Sequence, residues 1–243
     1  SFRYILSNPY LALIAVLVLA YGVTINLVEG VWKGQIKIAF PDKNDYNMFM
    51  GQFSTWTGAI TILLMIVGNN ILRRLSWMKA AIITPIMVLA TSTIFFYVVW
   101  NGAKSTPFAP LMGTTVVFVA VIVGQIQNVL SKGTKYSLFD STKQMAYIPL
   151  DPEAKVKGQA AVEVIGGRAG KSGGALVQST LLAVIGGSVS LASLTPILGP
   201  IVIVVCIAWI FSVVALSRKF TELVESRKAE EKTGESTLAK TSA

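Results

Sequence analysis

Long charge-free stretches dominate the chain and set its organisation. Tyr4 to Val28, Tyr46 to Leu72, Ala80 to Ala103 and Ser105 to Ser131 contain no Asp, Glu, Lys or Arg. Each is long enough for a transmembrane helix, which needs about 20 apolar residues. A fifth stretch, Ser172 to Ser217, runs 46 residues without a charge. As one helix it would reach roughly 70 Å at about 1.5 Å per residue, more than twice the hydrocarbon thickness. It must turn back, and Gly186-Gly187-Ser188 and Thr195-Pro196 are the breakers that allow it. The pattern predicts six spans, at about 9–32, 46–72, 77–101, 107–131, 158–187 and 194–217. These form one bundle over 1–217, followed by a polar tail over 218–243.

Composition agrees with that pattern. The chain has 243 residues, 53% hydrophobic and 14% charged, with a mean hydropathy of +0.63. A soluble domain carries roughly 25% charged residues, because most of its surface stays in water. The fold class is therefore an all-α integral membrane bundle, not a secreted scaffold, a disordered regulator or an ordinary cytosolic enzyme. The one cysteine, Cys206, lies in an apolar run and there is no histidine. No disulfide within the chain, thiol cluster, imidazole metal site or His-based triad can be built, and no cofactor is implied.

The distribution of charge sets the orientation. The N-terminus, the segments 73–79 and 132–157 and the tail carry fifteen Lys and Arg residues, against Lys33, Lys37, Lys43 and Lys104 on the opposite side. This positive-inside bias places both termini in the cytoplasm. The net charge of +9 is then a topology signal, and nucleic acid is not an expected partner. The lipid bilayer is.

Ionisable groups inside the bilayer are costly and mark function. Arg168 and Lys171 lie within the fifth predicted span, Lys171 about 21 Å along the helix from Lys157. At about 100° per residue they share a face with Ala175 and Gln178, with Glu163 to one side. Two uses are open. They can hold an anion, phosphates above all, or pair with acids on other helices. Gly166, Gly170 and Gly174 form a small-residue ridge beside that face, suited to close helix packing. Gly170-Lys171-Ser172 is not a phosphate-binding loop, because Ile165 stands where the first glycine of that motif is required.

Glu29 closes the first span. It can pair with Lys33 one turn on, with Trp32 as an interfacial anchor, or it can serve function directly. Asn26, Gln125 and Asn128 are neutral polar groups that either contact a ligand or bond between helices. No pair of intramembrane acids stands at a spacing suited to metal-assisted phosphoryl transfer, which argues against an enzyme.

Several stretches resemble one family. Lys135-Tyr136-Ser137-Leu138-Phe139-Asp140, Met145-Ala146-Tyr147-Ile148-Pro149-Leu150-Asp151, Lys155-Val156-Lys157-Gly158 and Gly170-Lys171-Ser172-Gly173-Gly174 are similar to the ATP/ADP translocases of plastids and obligate intracellular bacteria. Val28-Glu29-Gly30-Val31-Trp32-Lys33 looks like that family's seventh span. The resemblance covers nearly the whole chain but only the C-terminal half of a twelve-helix carrier.

It implies a fold similar to one half of a major-facilitator carrier. It also implies exchange of ATP for ADP plus phosphate by alternating access, with the N-terminal six-helix half as partner. By motif, the family's important Glu and Lys in this half fall on Glu29 and Lys171. Lys171 and Arg168 are then expected to hold phosphates, with Glu29 gating or coupling. Asn26, Gln125, Asn128 and Gln178 are the candidate polar contacts. The alternative of the same fold is a proton-driven nucleotide symporter or uniporter. The implied location is the inner membrane of an intracellular bacterium, or else the plastid inner envelope.

Overall fold

The computed structural model describes residues 5, 7–104, 106, 107, 109, 110, 113–185 and 191–241. Six long helical elements account for most of them. α1 spans Pro9–Ala39, α2 Lys43–Arg74 and α3 Trp77–Asn101. α4 runs through Val116–Thr134, a π-helical turn Lys135–Phe139 and Asp140–Ala146. α5 runs through Pro152–Ala161, a second π-helical turn Val162–Gly166 and Gly167–Ile185, and α6 is Thr195–Thr241.

Local chemistry starts these helices. Asn8 accepts hydrogen bonds from the amides of Tyr10 and Leu11 ahead of Pro9, and Asp42 accepts from Asn44 and Asp45. Asp151 accepts from Ala154, with Pro152 at the first helical position, where its missing N–H costs nothing.

Among the described residues, five helices are long and apolar enough to cross a membrane: Pro9–Ala39, Lys43–Arg74, Trp77–Asn101, Val116–Ala146 and Thr195–Glu230. The segment expected as the fifth span, 158–187, falls in α5, whose charges leave it less apolar than the others. The Gly186-Gly187-Ser188 breaker lies outside the described residues. The chain then re-enters helix through a 3-10 turn, Leu191–Leu194, with Thr195-Pro196 opening α6 as the sequence implied.

The largest departure from the sequence expectation is α4. The helix expected over 107–131 begins at Val116 and continues to Ala146, so the cytoplasmic loop assigned to 132–157 shrinks to 147–151. The added helix is amphipathic. Ser137, Leu138, Phe139, Thr142 and Ala146 are buried, and the lysines that looked like loop residues pair with acids instead. The tail also stays helical, continuing α6 to Thr241.

α1 is the central strut, packing on α4, α5 and α6, while α3 packs on α4 and α6. An aromatic cluster ties these layers together. Tyr21 stacks on Phe139 at 5.2 Å, and both meet the buried Trp209 of α6 edge-on. Trp32, expected at the membrane interface, is fully buried instead, its indole N–H donating to the carbonyl of Val121 at 2.9 Å. It fits because Gly124 offers no side chain there: a Cβ on Gly124 would lie 2.2 Å from the Trp32 ring.

Candidate functional site

α1 and α5 run parallel and meet through a ladder of four-residue steps. Gly166 faces Val18, Gly170 faces Gly22, Gly174 faces Asn26, and Gln178 faces Gly30. At the tightest rung a Cβ built on Gly22 would lie 2.9 Å from the Gly170 Cα, so the two backbones touch. Without a hydrophobic driving force between helices in lipid, such close backbone contact is what holds a pair together. The ridge expected from the sequence is therefore a packing seam, and it aims its neighbours Arg168 and Lys171 away from the contact.

Both cations face a cavity of about 500 Å³ enclosed by α1, α4 and α5. α1 contributes Tyr21, Asn26 and Glu29; α4 contributes Lys135, Phe139, Asp140 and Lys143; α5 contributes Glu163, Arg168 and Lys171. The two π-helical turns border this space, supplying Lys135 and Phe139 from one and Glu163 from the other. The extra residue in a π turn rotates the chain that follows it, and such turns are frequent at functional sites.

The three lining carboxylates are all engaged. Asp140 binds Lys135 at 2.7 Å and Lys143 at 3.4 Å. Lys143, its side chain only 9% exposed, also reaches Glu163 at 2.8 Å. Burying an ammonium is costly without such partners. Glu29 binds Lys33 at 3.1 Å and Lys132 at 3.7 Å. Among the described residues, Arg168 and Lys171 have no carboxylate within ion-pair distance, and both are exposed to the cavity. The uncompensated charge of the site is positive, and it resides on these two side chains.

Of the residues singled out from the sequence, Glu29, Asn26, Arg168 and Lys171 gather at this cavity. Gln178 sits at its edge, donating to the backbone carbonyl and the side-chain oxygen of Asn26 at 2.8 and 3.2 Å. Gln125 and Asn128 do not join them. Gln125 lines a different cavity, and Asn128 is buried, donating to the Gly124 carbonyl of its own helix. The Glu29–Lys33 pair forms as its spacing implied, with Lys132 as an unforeseen second partner.

The charge pattern places Lys135, Asp140 and Lys143 between the fourth and fifth spans, whereas the structure places them on α4. The signal that locates them is the absence of a helix breaker between Thr134 and Tyr147, together with Phe139 and Lys143 one turn apart on one face.

A family model described as TLC ATP/ADP transporter matches residues 1–220. The chain is 47% identical over 240 residues to ADP,ATP carrier protein 1 of Chlamydia muridarum, covering 98% of this chain and 44% of that protein. It is 48% identical to ADP,ATP carrier protein 1 of Rickettsia bellii over 93% of this chain and 45% of that protein. Against the chloroplastic ADP,ATP carrier protein 1 of Arabidopsis thaliana, identity is 43% over 95% of this chain and 36% of that protein. The chain thus spans less than half the length of these relatives. No solved structure matches it.

Proposed function

The chain belongs to the TLC ATP/ADP transporter family, and on that premise we propose that it is the six-span half of a nucleotide antiporter exchanging ATP for ADP plus phosphate. Its mechanism is alternating access. Two six-helix bundles, this one and an N-terminal partner, rock around a central anion site in the manner of major-facilitator carriers. α5 is the remaining span, its charges turned toward the cavity and not toward lipid, and both termini are cytoplasmic.

The observation that carries this reading is the pair of cations, Arg168 and Lys171, that have no acid partner among the described residues, in a cavity whose lining carboxylates are all engaged. Polyphosphate is the natural complement of such a surface. The Arg168 guanidinium offers a planar fork to two oxygens, and the Lys171 ammonium offers a compact charge. Glu29 repels phosphate and acts as the gate. Held by Lys33 and Lys132 in this arrangement, it takes up a cation when the nucleotide leaves, so that positive charge in the empty site is neutralised and the carrier can reorient.

Counter-exchange of labelled ATP in vesicles containing the full-length carrier tests this. Lys171→Gln should lower ATP affinity roughly tenfold to a hundredfold, the worth of one charge-assisted contact. Exchange at the wild-type rate and affinity would refute the central-cation mechanism.

A further inference from the structure

A second cavity, of about 650 Å³, opens where the end of α1 meets the starts of α2 and α4. Its wall carries four aromatic rings, with Met48, Ile122 and the Asp45 carboxylate beside them. Phe40 stacks on Phe49 at 5.1 Å and meets Phe118 edge-on at 6.3 Å, and Trp56, 60% exposed, is the fourth ring. Gln52 of α2 and Gln125 of α4 also line it, and among the described residues neither amide has a hydrogen-bond partner. Flat apolar rings beside two unengaged amides make a site for a planar, hydrogen-bonding heterocycle.

This cavity is aligned with the cation-lined one. Phe118, Ile122 and Gln125 lie on the stripe of α4 that continues to Lys132, the partner of Glu29, and then reaches Lys135 in the other cavity. Glu29 lines the cation cavity, and Phe40, at the end of α1, lines the other. Eleven residues separate them, a rise of about 16 Å. An extended nucleoside triphosphate covers such a distance between its base and its last phosphate.

We infer that the second cavity is the base-binding subsite, in which a purine lies against Trp56 and Gln125 reads its edge while the phosphates occupy the Arg168–Lys171 cavity. This rests on the nucleotide reading above. A carboxamide donates to N7 of adenine and accepts from its N6 amino group. Guanine presents acceptors at both N7 and O6, so the amide keeps only one of the two bonds. The site therefore favours adenine.

The test uses the full-length carrier, with ATP, GTP and inorganic triphosphate competing for labelled ATP exchange. Trp56→Ala should weaken ATP roughly five- to hundredfold, the effect of removing a stacking ring, and leave competition by inorganic triphosphate unchanged. Trp56→Phe should recover most of the loss. Gln125→Leu should bring the ATP-to-GTP ratio toward one.

The inference is overturned if Trp56→Ala and Gln125→Leu leave ATP unaffected, or weaken inorganic triphosphate as much as ATP. Lys171→Gln separates the two readings, since it should weaken ATP and inorganic triphosphate alike. If it changes neither, the phosphate assignment fails. The base subsite then stands or falls on whether Gln125→Leu shifts the ATP-to-GTP ratio.

Discussion

Gly22 and Gly170 meet backbone to backbone, each placed so that a Cβ on it would lie 2.9 to 3.0 Å from the Cα of the other. That single rung fixes where Arg168 and Lys171 stand relative to Glu29 and Asn26. Gly170→Leu should therefore damage more than packing. Forced separation of α1 and α5 should destabilise the bundle by at least about 1–3 kcal/mol and widen the cavity between the cations and α1. Loss of thermal stability in detergent together with loss of exchange is expected. A fully active leucine variant would show that the seam is dispensable.

Charge at Lys171 should matter in a graded way. Lys171→Arg keeps a cation but replaces a compact ammonium with a planar fork, so it should bind ATP better than Lys171→Gln and worse than wild type. Affinity measured by isothermal titration on the purified full-length carrier decides the order.

Glu29→Gln should produce a different defect. The carboxylate engages Lys33 and Lys132, and under the proposed mechanism neutralising it would remove the gate without removing a phosphate contact. ATP should bind with near-normal affinity while exchange turnover falls at least about tenfold, corresponding to about 1.4 kcal/mol on the reorientation barrier. Equal loss of binding in Glu29→Gln and Lys171→Gln would contradict the division of roles.

The acidic residues of the cavity should not be equivalent. Asp140 holds both Lys135 and Lys143, whereas Glu163, 42% exposed, pairs with one cation, Lys143, and accepts from the Gln144 amide at 3.4 Å. Asp140→Asn should lower stability by about 1–3 kcal/mol, because two partly buried cations lose charge-assisted bonds. Glu163→Gln should cost about 1 kcal/mol or less, as exposed pairs do. Melting temperatures of the two variants provide the comparison.

Orientation can be read by labelling. A cysteine at the exposed position Lys104 should react with an impermeant thiol reagent from outside, and one at the exposed Ile148 only from the cytoplasmic side. The native Cys206 is buried and contributes little background. The reverse pattern would invert the assigned topology.

Much of this architecture was legible in the chain, and the parts that were not share a cause. Charge-free length locates α3 from end to end and the start of α1, which runs on past the expected 32 to Ala39 through Lys33 and Lys37. It fails in α4 beyond Ser131, because charge density there reads as loop, whereas Lys135, Asp140 and Lys143 neutralise one another inside a helix. The site split along the same line. Lys171, Arg168 and Glu29 stood out as isolated charges in apolar surroundings, but pairing between distant segments, such as Lys132 with Glu29 or Lys143 with Glu163, leaves no trace in local spacing. Trp32 shows the converse. Its spacing suited a membrane anchor, and only the space above Gly124, from a different helix, makes it a core residue.

The cavity's two sides are built from materials of unlike stiffness. The α1–α5 side is a backbone seam in register over four consecutive rungs, and slipping it by one rung would drive Val18 or the Asn26 side chain into the space left for a glycine. The α4–α5 side is held by a lysine shared between two carboxylates and bordered by two π-helical turns. Such contacts can be remade with other partners at little loss. A change in cavity width between α4 and α5 therefore meets less resistance than one between α1 and α5, whose seam holds Arg168 and Lys171 at a fixed height beside Asn26 and Glu29.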